Sequence, residues 1–223
     1  MDSRLIEVDT TAVEDHGVAV VTLNRPHKKN ALSHAMRLDL AHAFEALAHD
    51  ARVVVLTGHG DVFCAGFDLA EFDRVDGEGL WESSNRMNAV IAAHPVPVIA
   101  ALDGPVVAGG ADLAVLTDIR LGTPRTSFSH PEHRRFPVVY GPLAECIGST
   151  RARELVLTGR TVDADEALAV GLLTEIVRDR RVLDRACELA YDIARTPWHL
   201  LHRMRRKFQQ FDRYDPACHT LSL

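Results

Sequence analysis

Two glycine-centred segments carry the clearest chemical signal in this chain: Phe63-Cys64-Ala65-Gly66-Phe67-Asp68 and Gly104-Pro105-Val106-Val107-Ala108-Gly109-Gly110-Ala111-Asp112. Glycine lets a backbone approach a ligand in conformations that a Cβ would obstruct. Two such turns, each presenting backbone N–H groups to one point, make an oxyanion hole, which stabilises negative charge as it grows on a carbonyl oxygen. On turn rules alone, each segment is equally satisfied by a tight turn with no ligand.

The elements that must position these turns are short apolar strands alternating with amphipathic helices. Val53-Val54-Val55-Leu56 precedes the first glycine segment, and the run from Val96 to Leu102 precedes the second. Both read as buried strands, and a helix is expected after each turn. Val18 to Leu23 alternates into another strand, and Ile119 to Phe128 carries a further one. Ser33 to His49 suits a helix capped by Ser33, with apolar residues at Met36, Leu38, Leu40, Phe44 and Leu47. Further helices are expected over Gly79–His94, Thr150–Leu157, Ala164–Val170 and Val182–Arg195, and a basic amphipathic one over Thr196–Arg213 starting near Pro197. The acidic stretch Glu71–Glu78 reads as a loop beside the site. Strands interleaved with helices indicate an α/β domain.

Five segments, in order from about residue 18 to 178, resemble the crotonase (enoyl-CoA hydratase/isomerase) superfamily. They are VVTLNRP with Asn30-Ala31-Leu32-Ser33; VVVLTGHGDVFCAGFD over Val53–Asp68; PVIAALDGPVVAGGADLAVLTDIR over Pro97–Arg120; Phe128-Ser129-His130-Pro131-Glu132; and RARELVLTGR from Arg151 with Ala164–Val177. The resemblance implies a crotonase/ClpP-like spiral of ββα units, here residues 1–195, with a short C-terminal helical oligomerisation segment, 196–223. It implies an enzyme that stabilises a thioester enolate. The expected reaction is hydration of 2-enoyl-CoA to 3-hydroxyacyl-CoA. Isomerisation, decarboxylation or hydrolysis by Glu132 alone is the alternative, and a non-catalytic acyl-CoA-binding or accessory protein is the reading from another class.

On the same resemblance the oxyanion donors are the backbone N–H groups of Phe67 and Gly109. Glu132 and Asp112 match the two carboxylates that hold and split a water. Asp112 is a departure, one methylene shorter than the glutamate usual there; read on its own it is also a carboxylate favoured near a helix N-terminus. The plainer reading of Glu132 is a solvated loop charge, and that of Phe67 a core aromatic; the functional reading is preferred for both. The acyl pocket is expected from Phe67, Asp68, Leu69 and Pro131. Coenzyme A is expected at Arg25, Lys28 and Lys29, with its nucleotide against Cys64, Ala65 and Gly66; coenzyme A enters as part of the substrate, and no other cofactor is expected. The segment after Glu132, His133 to Pro142, is shorter than in relatives, and Arg134 and Arg135 read as a solvated basic pair or as partners of an acidic acyl group. The family's trimers suggest a homotrimer or dimer of trimers, although the chain stops after Asp215-Pro216-Ala217-Cys218-His219, short of the family's usual end. Arg203, Arg205, Arg206 and Lys207 read as phosphate ligands or a solvated face.

Composition narrows the classes. With 223 residues and 47% hydrophobic content, one domain with a sizeable core is the default. A net charge of −6 argues against a nucleic-acid footprint. Cys64, Cys146, Cys187 and Cys218 lack a CxxC or metal-ligand spacing and read as reduced thiols. No apolar run reaches membrane-spanning length and Met1-Asp2-Ser3-Arg4 does not open a signal peptide, so a cytoplasmic location is expected. His130-Pro131-Glu132-His133 lacks the His-Glu-x-x-His order and His199 with His202 lacks a third ligand, so no metal is expected. Ala111 stands where a P-loop needs lysine, and no Gly-x-Ser-x-Gly elbow exists. The twelve histidines read mostly as surface residues.

Overall fold

Valine-rich strands buried on both faces form the centre of the molecule, and the pleat sends alternate side chains into two different layers. The computed structural model describes residues 4–71, 77–134, 138–179 and 181–212. In chain order the elements are β1 (Ile6–Asp9), α1 (Val13–His16), β2 (Val18–Leu23), α2 (His34–Leu47), β3 (Val53–Gly58), α3 (Gly77–Ala92), β4 (Val98–Leu102), β5 (Pro105–Val107), α4 (Gly109–Val115), β6 (Ile119–Gly122), β7 (Ser127–Ser129), α5 (Tyr140–Ile147), α6 (Ser149–Thr158), α7 (Ala164–Val170), β8 (Glu175–Ile176), α8 (Val182–Ala194) and α9 (Trp198–Phe211). Strands β1-β2-β3-β4-β6-β8 form one sheet in that order, parallel throughout except for β1 against β2. Val53, Val55, Ile99 and Ala101 pack beneath α8, on Val182, Ala186, Ala190 and Ala194. Val54, Leu56, Val98, Ala100 and Leu102 face the opposite way, into the larger core that includes α2 and α4.

A second, smaller layer positions the glycine turns. Strands β5 and β7 pair in parallel. Single bridges extend that ladder on both sides, Cys64 to Val106 and Phe128 to Val162, and Leu32 bridges Phe67 alongside. The chain therefore leaves the large sheet at the C-terminal ends of β3 and β4 and pairs again at once. This is why Ile119–Phe128, expected as one strand, is two strands in different sheets. Thr126 Oγ1 makes the break: it accepts from Thr123 N at 2.8 Å and donates to Leu102 O at 2.8 Å, turning the chain between β6 and β7.

Ser33 caps α2 as expected, accepting from Met36 N at 3.2 Å. The helix expected from Gly79 begins at Gly77, inside the expected acidic loop; residues 72–76 of that loop lie outside the described residues. Helix α5 and strand β1 add elements that periodicity did not suggest. In α9, Arg205 is buried rather than solvated: it donates to Ala92 O at 2.9 Å and lies 3.4 Å from Asp118. Two of the histidines read as surface residues, His94 and His130, are also buried. Asn30, wholly buried at a positive φ of 53°, ties the β2 turn to the first glycine segment: its amide faces His59 O, Val62 O and Phe63 O, and its oxygen accepts from Arg25 N.

Candidate active site

The two glycine turns meet backbone to backbone. Leu32 N donates to Gly66 O at 2.7 Å and Asp68 N donates to Leu32 O at 3.2 Å. This pairing uses the peptides on either side of Phe67 and turns the amide of Phe67 to the opposite edge of the strand, where the second turn lies. A Cβ built on Gly66, whose φ is +85°, would stand 2.6 Å from Ala108 Cβ and 3.2 Å from Gly109 N. Gly109 opens α4, and a first-turn N–H has no acceptor within its own helix. The amides expected as oxyanion donors are thus on two backbone segments in direct contact. The first turn runs into a short 3-10 turn at Leu69–Glu71 rather than directly into an α-helix.

Ala108 is held at φ 53°, ψ −127°, a region that costs a non-glycine residue roughly 1–3 kcal/mol. Surrounding hydrogen bonds hold it there: Ala108 N donates to Ser129 O at 2.9 Å, and Ala108 O accepts from Ala111 N and Asp112 N at 2.7 and 3.1 Å.

The carboxylates come from α4 and from the chain leaving β7. Asp112 lies in the first turn of α4 and is 6% exposed. Glu132 sits in a 3-10 turn, Pro131–Arg134, which is pinned where His133 Nδ1 meets His130 O at 3.0 Å. Both Glu132 carboxylate oxygens are buried and have no hydrogen-bond partner among the described residues. A buried acid with nothing to solvate its charge holds its proton longer, so burial pushes Glu132 up to about 7; the His130 charge opposes this and the Asp112 charge adds to it.

His130 Nε2 lies 3.3 Å from Asp112 Oδ1, with both side chains buried, in an electrostatic contact whose angles are not those of a hydrogen bond. Burial raises the Asp112 pKa above the usual carboxylate range, against the pull of His130 and the Val139 amide. Burial disfavours the His130 cation, but the charges of Asp112 and Glu132 outweigh it and raise its pKa. Asp112, His130 and Glu132 therefore form one coupled set of groups titrating nearer neutrality than isolated carboxylates do. His130 is the member that sequence reasoning missed. Its only sequence signal was proximity, two residues before Glu132; the 3-10 turn that follows β7, and the packing of His130 on Asp112, are not readable from residue types.

The residues expected around the substrate are brought together unevenly. Lys28 and Lys29 are exposed, and Lys29 O accepts from Ala65 N at 3.0 Å, so this turn abuts Cys64–Gly66. Cys64 donates its thiol to Asn30 O at 3.2 Å, and burial pushes its pKa up to about 12, which leaves it inert. Arg25 faces inward, its Nη1 donating to Asp68 at 2.6 Å and to Ala31 O at 3.0 Å. Asp68 accordingly stays below the usual range: burial would raise it, but Arg25 and the Ala70 amide outweigh that effect. Phe67 packs its ring within 3.3 Å of the Gly109 Cβ position and edge-on to Trp81. Leu69 is 61% exposed and Pro131 is exposed. Arg134 is exposed, while Arg135 lies outside the described residues. Among the described residues no group of His, Cys, Asp or Glu could hold a metal ion, and no helix is long and apolar enough to cross a membrane.

Residues 13–217 match the sequence profile of the enoyl-CoA hydratase/isomerase family. The chain belongs to that family. A Thermus thermophilus member is 38% identical over 194 residues, covering 82% of this chain and 77% of its own length. An enoyl-CoA hydratase of Mycobacterium tuberculosis is 36% identical over 183 residues, 77% of this chain and 69% of the relative. Human mitochondrial methylglutaconyl-CoA hydratase is 33% identical over 192 residues, and the match spans 57% of that longer protein. Among solved structures, an enoyl-CoA hydratase from Bacillus anthracis superposes with a TM-score of 0.87 at 29% identity, covering 95% of this chain and 85% of that one. The family places the protein among acyl-CoA-processing enzymes of the crotonase type, and its fold is the crotonase fold.

Two outcomes follow for variants of the site. Gly66→Ala forces a Cβ onto Ala108 at a positive φ, so urea unfolding should show a loss of at least about 2 kcal/mol. Glu132→Gln should stabilise the fold in a pH-dependent way. The folded protein binds a proton at Glu132 up to about pH 7, whereas the unfolded chain releases it near the ordinary 4.5, so wild-type stability falls as pH rises through that window. The variant should gain about 2 kcal/mol at pH 8 and almost nothing at pH 4, read from the two urea midpoints. Parallel curves across that range would contradict the burial argument.

Proposed function

We propose that the protein hydrates a 2-enoyl-CoA to the 3-hydroxyacyl-CoA, with the thioester oxygen held by the Phe67 and Gly109 amides. The observation that carries this reading is Glu132: a buried carboxyl, open on both oxygens, poised near neutrality and coupled to a second acid. That is the state a general acid–base group needs, since proton transfer is most efficient when the pKa lies near the working pH. Water oxygen adds to C3, and the electrons of the C2=C3 bond move to leave an enolate whose oxygen charge rests between the two amides. Glu132 delivers its proton to C2, while Asp112 takes the second proton of the water. One water is consumed, and the carboxylate pair carries one proton before and after. His130, 3.3 Å from Asp112 Oδ1, offsets the charge of the aspartate. Exposed Lys28 and Lys29 are the partners we assign to the phosphates of coenzyme A, with Arg25 turned inward onto Asp68 rather than reaching outward.

A second reading keeps the enolate and drops the water. Because the short Asp112 arm faces His130, Glu132 acting alone could carry a proton between two carbons and shift the double bond.

The test is the absorbance of crotonyl-CoA at its enone band, with wild type and Glu132→Gln side by side. Wild type should bleach the band, and the variant should be slower by about 10²–10⁴-fold. Wild-type kcat/KM should fall as pH rises through about 7, where Glu132 loses its proton. The dehydration direction should show the same profile, since both directions start from a pair holding one proton. A 3-enoyl-CoA turned over while crotonyl-CoA is not would favour the isomerase and sink hydration.

A further inference from the structure

Arg37 lies in α2 with no exposed surface, and the hydration mechanism does not use it. Its Nη1 donates to Leu32 O at 2.7 Å and its Nε to Ser83 Oγ at 2.9 Å. Its guanidinium lies 4.9 Å from the centre of the Phe67 ring, a cation–π contact. No carboxylate lies within 4 Å of it among the described residues, and Nη2 has no hydrogen-bond partner. Burial lowers its pKa to about 10, with the charge of Glu71 opposing, so it stays cationic at neutral pH. Burying a cation without an adjoining anion is costly, and an apolar side chain of similar size would fill the same space at lower cost. Packing alone does not account for it.

The contacts of Leu32 supply a reason. Leu32 N meets Gly66 O and Leu32 O meets Asp68 N, so the Leu32 residue sets the direction of the strand through Phe67. The preceding carbonyl, Ala31 O, accepts from Arg25, which also pairs with Asp68. Two arginines thus grip adjacent carbonyls of one segment, one from the outer side and one from within. We propose that Arg37 is a positioning residue of the oxyanion hole, clamping the Leu32 peptide so that the Phe67 amide is fixed toward the thioester oxygen, and holding positive charge behind the Phe67 ring. This rests on the oxyanion reading given above.

A conjugated 2,4-dienoyl-CoA, whose absorbance shifts to the red when its carbonyl is polarised, separates the two claims. No shift with wild type would defeat the oxyanion reading itself. Given a wild-type shift, Arg37→Met should reduce it and lower kcat on crotonyl-CoA by roughly tenfold or more, less than the 10²–10³-fold expected for loss of a whole donor. KM should change by less than about threefold, because the interaction tightens in the transition state. Arg37→Lys, which keeps the charge and one donor, should recover part of both. A wild-type shift and wild-type kcat in Arg37→Met would overturn the proposal. If Arg37→Met does not fold, Ser83→Ala removes the Nε acceptor with little change in packing. A reduced shift and kcat there support the clamp, and wild-type values for both overturn it.

Discussion

The close approach of two peptide segments, 64–67 and 106–109, is the constraint on which the rest of the structure depends. It requires β3 and β4 to lie side by side in the large sheet, so that both chains leave from the same edge. It also requires the bridge from Cys64 to Val106 and the backbone contact at Gly66. The strained Ala108 and the wholly buried Asn30 sit at the two sides of this contact. Both are held by several hydrogen bonds, as strain must be if it is to persist. The hydrophobic work is done by the valine strands and by α8; the polar work is done within a few residues of the two turns.

Charge is distributed around that contact in a consistent order. Acidic groups, Asp112 and Glu132, lie on the side of α4 and β7. Cationic groups, Arg25 and Arg37, lie on the side of the β2 turn and α2, behind the first turn. Arg25 is neutralised by Asp68, whereas Arg37 retains its charge in the interior. On the proposed function, an oxyanion held by the Phe67 and Gly109 amides would develop toward the cationic side. On that reading, this is electrostatic preorganisation built mostly from backbone amides and the side chains behind them.

Much of this was legible in the sequence, for specific reasons. The continuous apolar run Val53–Leu56 and the glycine spacing marked the strands and turns, because apolar runs and backbone freedom are local properties. The Ser33 cap was readable because capping is decided within four residues. The segment Ile119–Phe128 misled because its apolar content says nothing of the Thr126 hydroxyl that splits it between two sheets. Arg205 and His130 were read as exposed because a charged residue declares its partner only in three dimensions. The same holds for the Asp112–His130 contact and for Arg37, whose burial follows from packing α2 against α3. The types at Asp112 and Glu132 could be read in advance, but their solvation could not.

The most direct measurement follows the α-protons of a saturated acyl-CoA, butyryl-CoA, in deuterated water by proton NMR, with wild type and Glu132→Gln. Exchange needs only an enolate held in the oxyanion hole and one base, without hydration. The account predicts exchange catalysed by wild type and lost in the variant. Butyryl-CoA bound but unexchanged by wild type, or exchanged equally well by both, would contradict it.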